Sequence, residues 1–166
     1  MDIFSEQIVT IKKTALSYIA MAATVIAAIA LSVLLFIYSG QYPILILGIV
    51  GIIYGTAKLL PMFSVEYEYI VTNGTIDIDK IIAKRDRKRI VSFESKDIVR
   101  TSRYNGSNLP VQNGAPTYIC GNKNDAYFLV GGENKKFVLV FSPNEKTISA
   151  IRESAPRTIK RELFND

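Results

Sequence analysis

The 166-residue chain carries 20 Lys and Arg against 15 Asp and Glu, a formal net charge of +5, and 49% of it is apolar. Histidine is absent and Cys120 is the single cysteine, which rules out an internal disulfide, a cysteine-rich metal site and the commonest general base and pH switch. A modest basic excess suits solubility or an anionic lipid surface, whereas the aromatic-interleaved basic motifs that bind nucleic acid are missing, so no nucleic acid partner is expected.

Met1 to Lys13 is short and mixed, with Ile3, Phe4, Ile8, Val9 and Ile11 beside Asp2, Glu6 and two lysines. It reads as a frayed or interfacial amphipathic turn, or as a disordered lead-in. Two apolar runs follow, split only by Ser39-Gly40-Gln41-Tyr42-Pro43. The first, Thr14 to Tyr38, holds no charge over about 25 positions, enough to cross a bilayer even when tilted. It is about twice the length of a secretory signal core and is followed at once by a second run, Tyr42 to Ala57, then Lys58 and Leu59 to Phe63. The expectation is a transmembrane α-helical hairpin over 14–62, between an N-terminal segment 1–13 and a soluble domain 63–166.

Lys12, Lys13 and Lys58 flank one side of this hairpin and its joint has no Lys or Arg, so the positive-inside rule puts both termini and the soluble domain in the cytoplasm, on the cell membrane. Tyr38 and Tyr42 then fall at the far interface, and the sequons at Asn73 and Asn105 lose their meaning. The second run carries Gly48 and the GxxxG pair Gly51 and Gly55, and the first offers Ala20, Ala23, Thr24, Ala27 and Ala28. In lipid, close backbone approach is what favours helix association, so these residues are expected to close the hairpin, or to join copies into a homo-oligomer. Neither run contains a charge that would serve as a proton or ion path.

Pro61 ends the second helix, and from Ser64 the period becomes two: Val65, Tyr67, Tyr69 and Val71 against Glu66, Glu68 and Thr72. Asn73-Gly74 signals a tight hairpin into a second strand, Thr75 to Lys84, where adjacent Ile81 and Ile82 point to a bulge or shared burial. Arg85 to Lys88 reads as the next turn, Arg89 to Glu94 as a third strand, Ser95 to Val99 as one helical turn and Arg100 to Tyr104 as a fourth strand. Asn105 to Pro116, with two Asn-Gly pairs and two prolines, is a loop that suits binding or mere mobility. Strands at Thr117 to Gly121, Ala126 to Val130 and Lys136 to Phe141 complete a meander. Ser142 and Glu145 form a capping box around Pro143, opening a helix whose stripe is Ile148, Ile151, Ala155, Ile159 and Leu163, with a kink or break at Pro156.

About seven short strands followed by one amphipathic helix resembles the pleckstrin-homology-like (PH-like) fold, an α+β arrangement in which a bent antiparallel sheet is closed by a C-terminal helix. Two spans followed by Glu66-Tyr67-Glu68-Tyr69-Ile70-Val71-Thr72-Asn73-Gly74 is similar to bacterial membrane-anchored PH-like proteins. The Tyr-Glu-Tyr strand, the Asp-Ile-Asp-Lys strand, the Lys-Arg turn and the Phe-Ser-Pro-Asn-Glu-Lys helix start resemble a small family of such two-span proteins, across nearly the whole chain. PH-like folds carry many unrelated functions, so the resemblance names no activity. The first hairpin tip, Asn73-Gly74-Thr75, lacks the basic cluster of inositide-binding members.

Lys84, Arg85, Arg87, Lys88 and Arg89 surround Asp86 in the densest charge cluster. It suits a solvated turn, or contact with an anionic leaflet if the tip lies within about a Debye length, ~8–10 Å, of the membrane. Asp77 and Asp79 share a strand face without a further ligand, and surface alternation explains them. Cys120 reads as a small buried hydrophobe, Tyr67 and Tyr69 as core or interface anchors. With no nucleophile–base pair, phosphate-cradling loop or metal cluster, neither an enzyme nor a cofactor is expected. Three functions fit: an interaction or assembly module with a protein partner, an anionic-lipid sensor, and an accessory subunit of a transport or secretion complex.

Overall fold

The structure is a computed structural model that describes residues 2–38, 42–106, 109, 114–122, 126–132, 136–157, 160, 163 and 164. The chain divides into two compact units, one comprising Met1–Ile11, Glu66–Ile81 and Asp86–Asp166, the other Lys12–Val65 and Ile82–Arg85.

The second unit contains the helical hairpin: α1 (Ala15–Tyr38), α2 (Tyr42–Leu59) and a 3-10 turn, Leu60–Phe63. Both helices are long and apolar enough to cross a membrane, and neither is buried by protein. Their seam carries Ala20, Met21, Thr24, Ala28, Ser32 and Leu35 of α1 and Leu45, Gly48, Ile49, Ile52, Gly55 and Thr56 of α2, all half-buried. Four of the α1 residues, Ala20, Thr24, Ala28 and Ser32, recur every fourth position as small side chains that let the backbones approach. Thr24, Ser32 and Thr56 donate their hydroxyls to the carbonyls of Ala20, Ala28 and Ile52, each at 2.8 Å, so these three hydroxyls are satisfied within their own helices. A Cβ on Gly48 would collide with Leu35, whereas one on Gly51 or Gly55 would meet nothing within 4 Å. Ala23 and Ala27 are exposed, off the seam. The expected small-residue set therefore divides: Ala20, Gly48 and Gly55 lie on the half-buried seam, while Gly51, Ala23 and Ala27 are exposed, off it.

The first unit holds two four-stranded sheets, so the described residues form eight strands where about seven were expected. The first sheet has the order β1-β2-β3-β4, with β1 (Phe4–Thr10), β2 (Val65–Thr72), β3 (Thr75–Ile82) and β4 (Asp86–Glu94). The added strand is β1, in the segment expected to be an interfacial turn or a lead-in. It alternates Ser5, Gln7 and Val9 inward with Phe4, Glu6, Ile8 and Thr10 outward, and pairs antiparallel with β2 from Phe4↔Thr72 to Thr10↔Glu66. The whole helical hairpin is thus an insertion between two neighbouring strands. Asn73-Gly74 makes the expected tight turn, with φ 47° and 99°.

The second sheet has the order β5-β7-β8-β6, from β5 (Ile98–Tyr104), β6 (Thr117–Ile119), β7 (Ala126–Gly131) and β8 (Phe137–Phe141). It is not the expected meander, because β6 pairs with β8 in parallel, and parallel pairing demands a crossover rather than a tight turn. A 3-10 turn at Ser95–Asp97 links the sheets. β7 and β8 are buried on both faces, which is why they read as unbroken apolar runs. One core joins Tyr69, Val71, Ile76 and Ile78 to Leu129, Leu139, Phe141 and Ile151, and a second packs Tyr104, Phe128, Val130, Val138 and Val140 under Leu109.

The C-terminal helix α3 (Glu145–Ser154) starts later than the Ser142 capping box implied. Asn144 is the cap, its side chain accepting from Thr147 N–H at 2.8 Å, while Ser142 is spent elsewhere: its N–H donates to Tyr69 and its hydroxyl donates to the carbonyl of Asn122. The helix ends before Pro156, with Ala155 extended as a residue preceding proline must be. Ile151, Ala155 and Leu163 of the expected stripe are buried; Ile159 lies outside the described residues, as does most of the 105–116 loop.

Candidate functional site

The basic cluster splits in two. The chain reverses earlier than expected, at Ala83 and Lys84, so Asp86 to Arg89 belong to β4 rather than to a turn. Arg87 and Arg89, two apart on a strand, share a face with carboxylates of β2 and β3. Arg89 Nε donates to Asp79 Oδ1 at 2.6 Å and its Nη1 lies 3.0 Å from Asp77 Oδ2, so one guanidinium bridges the Asp-x-Asp pair. That hydrogen bond, with the charges of Asp77 and Asp79, holds the Arg89 pKa above its ordinary value. Arg87 Nη1 lies 2.9 Å from Glu68 Oε2, and Glu68 is 0% exposed. Neither Glu68 oxygen has an aligned hydrogen bond, so the pairing is chiefly coulombic. Burial pushes the Glu68 carboxyl up, Arg87 opposes this, and the nearby Glu6 and Asp79 carboxylates add to the rise.

On the other side of the sheet Tyr69 is a structural joint. Its hydroxyl donates to the Cys120 carbonyl at 2.5 Å and accepts from Ser142 N–H at 3.2 Å, and its ring meets Phe141 edge-on at 5.6 Å. Burial raises the Tyr69 and Tyr67 hydroxyls and pushes the Cys120 thiol up to about 12, which makes that thiol inert at neutral pH. Gln7 of β1, which sequence reasoning missed, clamps the start of α3: it donates to the Ser142 carbonyl at 3.0 Å and accepts from Asn144 N–H at 2.8 Å and from Thr147 Oγ1 at 3.0 Å. The alternation around it in Phe4–Thr10 was the available signal.

Two of the grooves among the described residues have volumes above about 500 Å³. One, of about 560 Å³, runs along the hairpin past Val25, Ile29, Phe36, Ile53 and Leu60; its only polar side chains, Ser32 and Thr56, are spent on their own helices. The other, of about 600 Å³, lies between β4 and β6 over Phe93, Tyr118 and Phe137. Its rim charges serve local structure: Lys96 pairs with Glu94 at 2.7 Å, and Asp97 accepts from Glu94 N–H at 3.3 Å. Among the described residues no group of three or more His, Cys, Asp or Glu is gathered as a metal site.

An apolar helical hairpin joined to a two-sheet domain closed by a C-terminal helix defines a PH-like protein with two candidate membrane spans. The family described as bacterial PH-like domain (DUF6106) matches residues 1–161, and the chain belongs to it. No curated protein and no solved structure matches the chain.

Proposed function

We propose that this protein is a non-enzymatic PH-like module anchored at the cytoplasmic face of the cell membrane, where it acts as an interaction or assembly platform. The pairing of β1 with β2 carries the reading. Thr10 and Glu66 are register partners, so residues 11–65 leave the sheet and return to it side by side. A two-helix excursion that starts and ends at one place crosses a bilayer an even number of times and leaves both flanks on one side. Lys12, Lys13 and Lys58 make that side the cytoplasm by the positive-inside rule. The non-enzymatic part is supported by the perturbed groups: Glu68 sits in a sheet ion pair, and Tyr69 and Cys120 sit in the core, rather than together in a cleft.

Its partners on this reading are the surrounding lipid and a protein docked on the domain. Cross-linking in native membranes followed by affinity purification is expected to return one recurrent protein partner. Recovery of this chain alone, cross-linked only to itself, contradicts the platform and favours a homo-oligomer through the open Gly51 face. Recurrent polytopic proteins instead identify an accessory subunit of a transport or secretion complex.

A further inference from the structure

The β3–β4 turn has two features that a plain connection does not need. Ala83 and Lys84 both take left-handed backbone, φ 55° and 57°, closed by Arg85 N–H donating to the Ile82 carbonyl at 3.1 Å. Two successive positive φ angles suit Asn-Gly, as at Asn73-Gly74, but alanine and lysine are strained there. Strain of this kind persists where the surroundings over-determine it, commonly at functional sites. The second feature is that constraint: Ala83 N–H donates to the Ser64 carbonyl at 3.1 Å. Ser64 directly follows the 3-10 turn Leu60–Phe63 that ends the second apolar helix, and Ile82–Arg85 belongs to the same compact unit as the hairpin.

The strained turn is therefore pinned to the chain where it leaves α2, beside the end that carries Lys58. Lys84 and Arg85 are exposed there, whereas Arg87 and Arg89 are committed to Glu68, Asp77 and Asp79. We propose that Lys84 and Arg85 form a binding site for the phosphate of anionic lipid headgroups. The occupant is a lipid because the hairpin's apolar length delivers this end to a bilayer interface, where acidic headgroups complement the cations. The inference rests on the membrane-anchored reading and adds a ligand class to it.

The test uses the full chain in nanodiscs made from equal parts phosphatidylcholine and phosphatidylglycerol, with the lipids retained on extraction counted by native mass spectrometry. The wild type is expected to retain phosphatidylglycerol preferentially, and less so as salt rises. Ala83→Asn with Lys84→Gly relieves the turn while removing one cation. It is expected to melt no lower than the wild type yet lose about fivefold in that preference, and adding Arg85→Gln brings the loss to about thirtyfold. Arg87→Gln, which removes a sheet cation, is expected to leave the preference unchanged. An undiminished preference in the relieved-turn variant, or a loss as large in Arg87→Gln, overturns the site. Insertion without any preference overturns this inference alone; failure to insert overturns the anchored reading with it.

Discussion

Tyr69 ties three separate pieces of chain together through one hydroxyl: β2 on which it stands, the Cys120 carbonyl that follows β6, and the Ser142 N–H that precedes α3. Tyr69→Phe keeps the ring contact with Phe141 and strands a buried acceptor and a donor, so it is expected to cost about 1–3 kcal/mol in a chemical melt. Cys120 is 1% exposed with its thiol raised to about 12, so a thiol reagent at neutral pH is expected to label it only on unfolding, at the unfolding rate. Glu68 makes the opposite sort of contribution. Its folded pKa is raised, so the folded state holds the proton more tightly than the unfolded chain does. The stability linked to that proton is present below the ordinary carboxylate range and is lost as pH rises through the raised value. Glu68→Gln is therefore expected to melt higher than the wild type at neutral pH and about equally in acid. Parallel melting-temperature profiles against pH would contradict this.

At the scale of elements, what could be read from sequence follows how local the determining contact is. While the helical turn expected over Ser95 to Val99 is shortened to Ser95–Asp97, the two apolar helices and the Asn73-Gly74 hairpin depend on neighbours in sequence, and they fall where their patterns put them. β1 did not, because its seven residues are stabilised by partners on β2 some sixty positions away and by the Gln7 clamp on α3. The parallel pairing of β6 and the displaced cap of α3 have the same origin: Ser142 is an adequate cap by type, but Tyr69 and Asn122 claim it first. The basic cluster looked uniform because sequence shows charge and not face. Only strand placement separates Arg87 and Arg89, which lie on the carboxylate face of the sheet, from Lys84 and Arg85. The Asn144 cap gives a direct check: Asn144→Ala is expected to lower stability by about 1 kcal/mol, whereas Ser142→Ala acts through Asn122 and leaves the helix start unchanged in amide exchange.

For the whole molecule, the consequence of β1 is topological. A PH-like domain whose first two strands are separated by an apolar helical hairpin encloses that hairpin in its own sequence, so the hairpin is not a removable N-terminal tag. Deleting residues 1–11 is expected to destabilise the domain severely, since it strips β1 from the sheet and Gln7 from α3. The central claim, that both flanks of this hairpin stay on the cytoplasmic side while its joint crosses, is tested most directly by cysteine accessibility in a Cys120→Ala background. A membrane-impermeant thiol reagent applied to intact bacterial cells is expected to label Tyr42→Cys, and to label Asp2→Cys and Lys146→Cys only after permeabilisation. Labelling of Lys146→Cys or Asp2→Cys in intact cells, with Tyr42→Cys protected, would contradict it.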